Sequence, residues 1–343
     1  MTPRRILIIR PDRVGDVVLT TPLIRSIRQS FPNAFLCVMV NPLNVPLLEQ
    51  NPHIDEIITD DASGSDAGRK GFWKKVGLLR RYNFDTGLMP FPRERHAWMM
   101  FFAGIRTRIG VGHKLYEMLT FMPTVSRHKY IPLRHEADYM MDLGNRIGVT
   151  THDLRTELFV SEEEKNKARE RLSGMGLNMQ LPIVGVNPLS RGSVPNWRPE
   201  RYFELIERLI PRYSIAINLA PYEGAERVRF AALEKRGAVI LMESLRDHMA
   251  SVSQFDVLVS SSTGPMHIAA ALKVPTVSIF CPLTPCSPLL WGPLGNRSEV
   301  LLPSADYCQV RCPKDPKICP LEDIEVQSVI QGVERIVKER KLH

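Results

Sequence analysis

FDVLVSSSTGPMHIAAALKVPTVSIF, residues 255–280, is the stretch on which the fold turns. Phe255 to Val259 is a short apolar run of the kind that forms a strand buried on both faces. Ser260, Ser261 and Ser262 end it. Thr263 or Gly264 then stands at a helix cap, because Pro265 has the fixed φ and missing N–H that suit a first helical turn. The helix carries Met266, His267 and three alanines to Leu272, and a second apolar strand runs from Thr276 to Phe280. Strand, helix and strand in this order make a parallel βαβ unit.

The same alternation extends outward. Before it come a strand at Ile183 to Asn187, a helix at Pro199 to Ile210, and a strand at Ile215 to Leu219. A helix at Ala225 to Arg236, a strand at Val239 to Met242 and a helix through Ser251 complete the run. The first half repeats the theme. Its strands are predicted at Ile6 to Ile9, Ala34 to Val40, Ile54 to Ile58 and Phe84 to Pro90. Its helices are predicted at Val17 to Ser30, interrupted by Pro22, and at Val76 to Arg81 and Glu136 to Ile147. Continuous apolar strands alternating with amphipathic helices imply an α/β protein of two Rossmann-like, doubly wound domains. A length of 343 residues fits two domains at about 150 residues each. The boundary is expected in the charged, then glycine-bearing stretch from Ser161 to Gln180, giving domains at 1–170 and 171–325. The last helix, within 326–343, is open to pack on its own domain or back on the first.

Composition narrows the classes. Hydrophobic residues are 44% and charged residues 24%, as in ordinary globular chains. No apolar run approaches the ~18 residues of a membrane span, and the N-terminal apolar stretch is too short for a signal peptide. The expectation is a cytoplasmic protein. Six cysteines do not make a disulfide scaffold. The net charge of +8 is either only a soluble basic surface or the mark of an anionic partner, a phosphorylated substrate or a membrane surface. Nucleic acid is not expected, for no zinc-finger spacing or long basic helix occurs.

In open parallel sheets ligands bind beyond the carboxyl ends of the strands, so the chemistry belongs in those loops. RPDRVGD, residues 10–16, follows the first strand. Gly15 permits a tight turn or a close ligand, and Asp16 either caps the helix or offers a carboxylate to a substrate. The loop lacks the dinucleotide glycine fingerprint, and no P-loop occurs, which opposes an NAD oxidoreductase or an ATPase. The small residues 260–264 let an anion reach a helix N-terminus, where backbone N–H groups and the dipole hold phosphate. Met266 and His267 supply amides there, and the His267 side chain either donates to a phosphate oxygen or only packs. Arg69-Lys-Gly-Phe-Trp-Lys-Lys75 mixes cations with aromatics in an expected loop, either solvated or facing a phosphorylated acceptor. Arg93, Arg95 and His96 follow a strand and are expected at the site, whereas His135 reads as structural. Cys308, Cys312 and Cys319 fall short of a zinc site unless Cys281 or Cys286 joins them, and no metal is expected.

Three segments resemble glycosyltransferase family 9, the ADP-heptose:lipopolysaccharide heptosyltransferases. They are ILIIRPDRVGDVVLTTP at residues 6–22, STGPMHIAAAL with VPTVSIFCPLTP at residues 262–285, and Asn187-Pro188, Ser190, Trp197 to Glu200 and Phe203. The resemblance implies a GT-B architecture, two Rossmann-like domains facing across a cleft. It implies inverting, metal-independent transfer of heptose from ADP-heptose, with no cofactor, to a lipid-linked phosphorylated oligosaccharide at the inner-membrane surface. Asp16 matches the family's catalytic aspartate, and Thr263, Gly264 and His267 match positions that hold the diphosphate. Ser190, Arg191, Ser262 and Met266 complete the expected donor side. Arg13, Gly15, Arg69, Lys70, Lys74, Lys75, Arg93 and Arg95 form the expected acceptor side. Two departures bear on the donor. Ser262 replaces the family's usual Asp, and Pro195-Asn196 precedes Trp197 where the family often carries Lys. Another nucleotide sugar is therefore the alternative within the same architecture. A silent binding protein is the other alternative, opposed by the intact Asp16 and His267.

Overall fold

The structure is a computed structural model that describes residues 2–126, 130–190, 192, 194–315 and 318–340. The chain divides between Phe159 and Val160 into two compact units. In the first, β1 (Arg5–Ile9), β2 (Phe35–Val40), β3 (Glu56–Thr59), β4 (Thr86–Leu88), β5 (Thr107–Val111) and β6 (Thr124–Val125) lie in the order β3-β2-β1-β4-β5-β6. In the second, β7 (Ile183–Asn187), β8 (Ser214–Leu219), β9 (Val239–Met242), β10 (Val257–Ser261), β11 (Thr276–Ile279) and β12 (Ser298–Leu301) lie in the order β12-β11-β10-β7-β8-β9. Every pairing is parallel.

Each order is the same doubly wound arrangement. The topological switch falls between β1 and β4 in one sheet and between β7 and β10 in the other. The loops leaving these strand pairs turn to opposite faces and leave a crevice at the carboxyl edge. The central strands are buried along nearly their whole length, as the apolar runs require. The GT-B fold class expected from the resemblance is present as two such domains in one chain. No helix among the described residues is long and apolar enough to cross a membrane.

The boundary lies earlier than residue 170. The stretch expected as a linker is a helix, Glu162–Gly174, opened by a Ser161–Glu164 capping box. Only Ala168 and Leu172 are buried on it, so its sequence is nearly all polar. It belongs to the second unit through Arg171 on Glu243 (2.8 Å) and Glu164 on Arg246 (2.6 Å). The C-terminal helix, Val326–Arg340, packs on the second sheet, where Val329, Ile330, Val333 and Ile336 enter the core. β5, β6 and β12 escape sequence patterning because they are short, polar or half-exposed, β6 and β12 at the sheet edges.

Arg69 to Lys75 is not a loop. It forms the first half of a helix, Gly68–Tyr82. Gly71 within it is a packing contact, since a Cβ there would stand 2.1 Å from the Asp66 carbonyl oxygen. That close approach seats segment 61–67 on the helix. Gly71→Ala is expected to lower stability. Overpacking against backbone costs about 1–3 kcal/mol, and so rigid a contact favours the upper end over alanine's helix-propensity gain of about 1 kcal/mol. Urea denaturation followed by circular dichroism checks this. An unchanged midpoint would mean that segment 61–67 does not rest on the helix.

Candidate active site

At the switch point of the first sheet the chain leaves β1 at Arg10, whose guanidinium is only 1% exposed. Its Nη2 donates to Asp16 Oδ1 at 2.7 Å and lies 3.7 Å from Glu136 Oε1. Its Nε sits 2.9 Å from Asp12 Oδ1, off the N–H direction, so that contact is ionic rather than a hydrogen bond. Asn44 Nδ2 donates to the Asp12 carbonyl at 2.7 Å and pins the loop. Three carboxylates therefore surround one buried cation. Burial, reinforced by Asp16 and Glu136 and opposed by Arg10, pushes the Asp12 carboxyl up to about 6.

Asp16 is not the helix cap. The helix is Val14–Val18, the cap position belongs to Arg13 without a side-chain bond, and Asp16 lies in the first turn. Its carboxylate is thus left to Arg10. Gly15 sits inside this helix, so no tight turn requires it. Arg13 is exposed at the same edge. His135 caps the helix Glu136–Asn145, its Nδ1 accepting from Ala137 N at 3.1 Å, a structural role as expected.

The expected acceptor cations separate into two groups. Arg69, Lys70, Lys74 and Arg93 are exposed. Lys75 and Arg95 are not available in the same way. Lys75 is buried between Asp66 Oδ2 (2.9 Å) and the Thr59 carbonyl. Arg95 makes a two-pronged contact with Asp60 at 3.0 Å and donates to the Asp66 carbonyl at 2.6 Å. His96 Nε2 lies 2.9 Å from Asp60 Oδ2. Asp60, at the carboxyl end of β3, anchors this network. Burial works to raise its carboxyl, but the bonds from His96 and Arg95 win and hold it at about 2. A carboxylate with no exposure attracts the nearest donors, which is why these cations turn inward.

In the second unit the switch point is framed by the loops after β7 and β10. The helix Gly264–Ala271 starts there with Thr263 as its cap position and no side-chain cap. The Thr263 hydroxyl turns away to Ser260 Oγ (3.0 Å) and the Ser261 carbonyl (3.4 Å). The Met266 and His267 amides, expected to hold an anion, both point at the Thr263 carbonyl (3.1 and 3.4 Å). The N–H groups of Thr263 and Gly264 are the ones that head the helix without an intrahelical acceptor. Ser262 is half-buried beside them, and the His267 side chain is buried. Opposite, Asn187 Nδ2 donates to the Leu189 carbonyl (3.0 Å), Asn196 Nδ2 to the Pro188 carbonyl (2.7 Å) and Ser190 Oγ to the Val194 carbonyl (2.9 Å). These bonds set the loop's shape. Arg191 lies outside the described residues.

Sequence reasoning missed Arg10, Asp12 and Glu136, which are remote or unremarkable until the loop folds. It also missed a polar row on one face of the second sheet. Ser278, Ser260 and Asn187 are in register across β11, β10 and β7, and Asn218 stands one step beyond the Val186–Ile217 pair. All are buried. The signal was available as polar residues at the carboxyl ends of otherwise apolar strands. Cys37, Cys281, Cys286, Cys308, Cys312 and Cys319 are all free thiols. Among the described residues no group of three or more ligating side chains is placed to hold a metal ion.

Comparison with known proteins gives a consistent result. Glycosyltransferase family 9 (heptosyltransferase) matches residues 72–318. Lipopolysaccharide heptosyltransferase 2 of Escherichia coli is 27% identical over 328 residues, covering 90% of each chain. Among solved structures, a family 9 glycosyl transferase from Veillonella parvula superposes with a TM-score of 0.82 at 22% identity, over 98% of this chain and 97% of that one. The ADP-heptose lps heptosyltransferase II of Escherichia coli does so with a TM-score of 0.79 at 22% identity, over 98% and 99%.

The Asp60 network has a testable pH signature. Because its carboxyl is depressed in the folded state, Asp60 stabilises the protein fully above the ordinary carboxylate range, and this is lost as pH falls through about 2. Asp60→Asn, which leaves Arg95 and His96 without an anion, is expected to cost about 3 kcal/mol at neutral pH. The difference from wild type should close between about pH 4 and pH 2 in denaturation curves. Equal neutral-pH stability would show that the network contributes nothing.

Proposed function

The chain belongs to glycosyltransferase family 9 and is a glycosyltransferase, and from that premise we propose that it transfers heptose from ADP-heptose to an inner-core sugar of lipopolysaccharide. The observation that carries the reading is the Asp16 carboxylate, set at the carboxyl edge of the first sheet and held by Arg10 at 2.7 Å. One carboxylate oxygen is engaged by the guanidinium, which leaves the other to take a proton from the attacking hydroxyl as general base. Attack on the face opposite the leaving ADP makes the transfer inverting, through an oxocarbenium-like state. Charge growing on the diphosphate is met by the uncapped helix start at Thr263–Gly264. That electrostatic role can replace a metal ion, so the reaction we infer is metal-independent. The exposed Arg69, Lys70, Lys74 and Arg93 suit a phosphorylated, lipid-linked acceptor. Ser262, standing where the family usually has Asp, supports one second reading, a different nucleotide sugar in the same site.

The deciding experiment is ADP release from ADP-heptose with a deep-core lipopolysaccharide acceptor. Release should require the acceptor and fall at least about a thousandfold in Asp16→Ala, a loss in the range of a missing base. No release from wild type, with thermal stabilisation by another sugar nucleotide, would overturn the donor while leaving the fold.

A second expectation concerns pH. Asp12 shares Arg10 with Asp16, and its carboxyl titrates at about 6. As pH falls through that value Asp12 is neutralised, and the guanidinium is left to Asp16, at 2.7 Å, and the more distant Glu136, at 3.7 Å, which tightens its hold on the proton acceptor. kcat is expected to decline below about pH 6. Asp12→Asn, fixed in the uncharged form, should run about tenfold slower at alkaline pH and lose the inflection. A variant with the wild-type profile would remove Asp12 from the mechanism.

A further inference from the structure

The short helix Leu115–Leu119 is built inside out. Its carboxylate, Glu117, is only 1% exposed and accepts from the Lys114 backbone N–H at 2.7 Å. Its apolar residues face solvent instead: Leu115 is 70% exposed, Met118 71%, Leu119 53%, and Phe121 just beyond it 78%. Phe121 also holds a left-handed backbone, φ +50°, which a bulky residue adopts only at a cost. Single exposed apolar residues are ordinary, but a cluster marks an interaction surface.

The surface continues beyond this helix. Helix Glu94–Phe102 packs against both Leu115–Leu119 and Gly68–Tyr82. An aromatic chain follows it, with Trp73 and Phe102 centroids 5.1 Å apart and Trp98 and Phe102 5.7 Å apart. Trp73 is half-exposed. Around it on the same helix stand the exposed Arg69, Lys70 and Lys74, and Lys114 is exposed beside Leu115. Glu94 is the acidic residue within the aromatic chain, and it accepts from Trp98 Nε1 at 3.3 Å. Apolar prongs, a half-buried aromatic belt and flanking cations are the composition of a bilayer-interface surface. A second copy of this chain is a poor occupant, because an isologous contact sets the same cations against each other.

We propose that this face docks on an anionic lipid bilayer. Leu115, Met118, Leu119 and Phe121 enter the acyl boundary, and Arg69, Lys70, Lys74 and Lys114 meet the lipid phosphates. The inference rests on the proposed function for its purpose, since a lipid-linked acceptor is met at such a surface, but the binding requires no transferase chemistry.

The test is flotation of the full chain with vesicles of phosphatidylethanolamine and phosphatidylglycerol, against phosphatidylcholine alone. The comparison variant combines Leu115→Ser, Met118→Ser, Leu119→Ser and Phe121→Asn, the last because asparagine tolerates left-handed backbone. Wild type should float with the anionic vesicles, less so as salt rises. The variant should lose about tenfold in bound fraction, with an unchanged melting temperature and unchanged turnover of a water-soluble acceptor. If the combined variant does not fold, Phe121→Asn alone carries the test with a smaller loss. Wild type that ignores the vesicles, a variant that floats equally well, or a wild-type dimer that the variant dissolves would each overturn the proposal. Flotation without ADP release would sink the heptosyl reading and leave this one standing.

Discussion

Parallel strand pairing imposes the main constraint on this molecule. Parallel neighbours cannot be joined by a tight turn, so each pair needs a crossover helix, and the helices cover both faces of the sheet. Both sheets here are parallel throughout. Their strand interiors must then be apolar, and polar chemistry is pushed to the carboxyl edges. The switch points between β1 and β4 and between β7 and β10 are where those edges open. Asp16 and the Thr263–Gly264 helix start stand at them for this topological reason.

Charge at the edges is managed by enclosure. Arg10 and Asp60 are both nearly inaccessible, and each is surrounded by partners of opposite sign. Burying a charge is costly unless it is paired and hydrogen-bonded, so such residues organise whatever lies near them. Asp60 gathers Arg95 and His96 from the helix after β4, while Lys75 joins through Asp66. Arg10 gathers Asp12 and Asp16 from its own loop and Glu136 from a distant helix. The outcomes differ because the ratios differ. One carboxylate among several donors is depressed, as at Asp60. Burial raises Asp12, and one cation shared among three carboxylates does not offset it.

The second unit leaves a helix start uncapped at its switch point. The Thr263 hydroxyl bonds to Ser260 and Ser261 rather than to its own helix. The helix start therefore keeps its partial positive charge for something outside the helix. A cap would have stabilised the helix by about 1 kcal/mol, and its absence is a local departure from the most stable choice, at the carboxyl edge of the sheet.

The sequence alone determined the class of fold, because strand burial and helix amphipathicity are periodic and local, and the runs at residues 183–187, 239–242 and 276–280 match β7, β9 and β11 closely. It also singled out Asp16 and residues 262–267 as candidates, since both flank unambiguous strands. Tertiary structure decided what could not be local. A helix with two buried residues, Glu162–Gly174, looks like a linker until its partners are present. Lys75 and Arg95 look like free cations until Asp66 and Asp60 approach from another strand's end. Arg10 becomes the centre of a charge cluster only when Glu136, far along the chain, folds back beside it. Sequence specifies which groups can interact, but ionic partnership depends on distance and burial, and those arise only once the sheets are assembled.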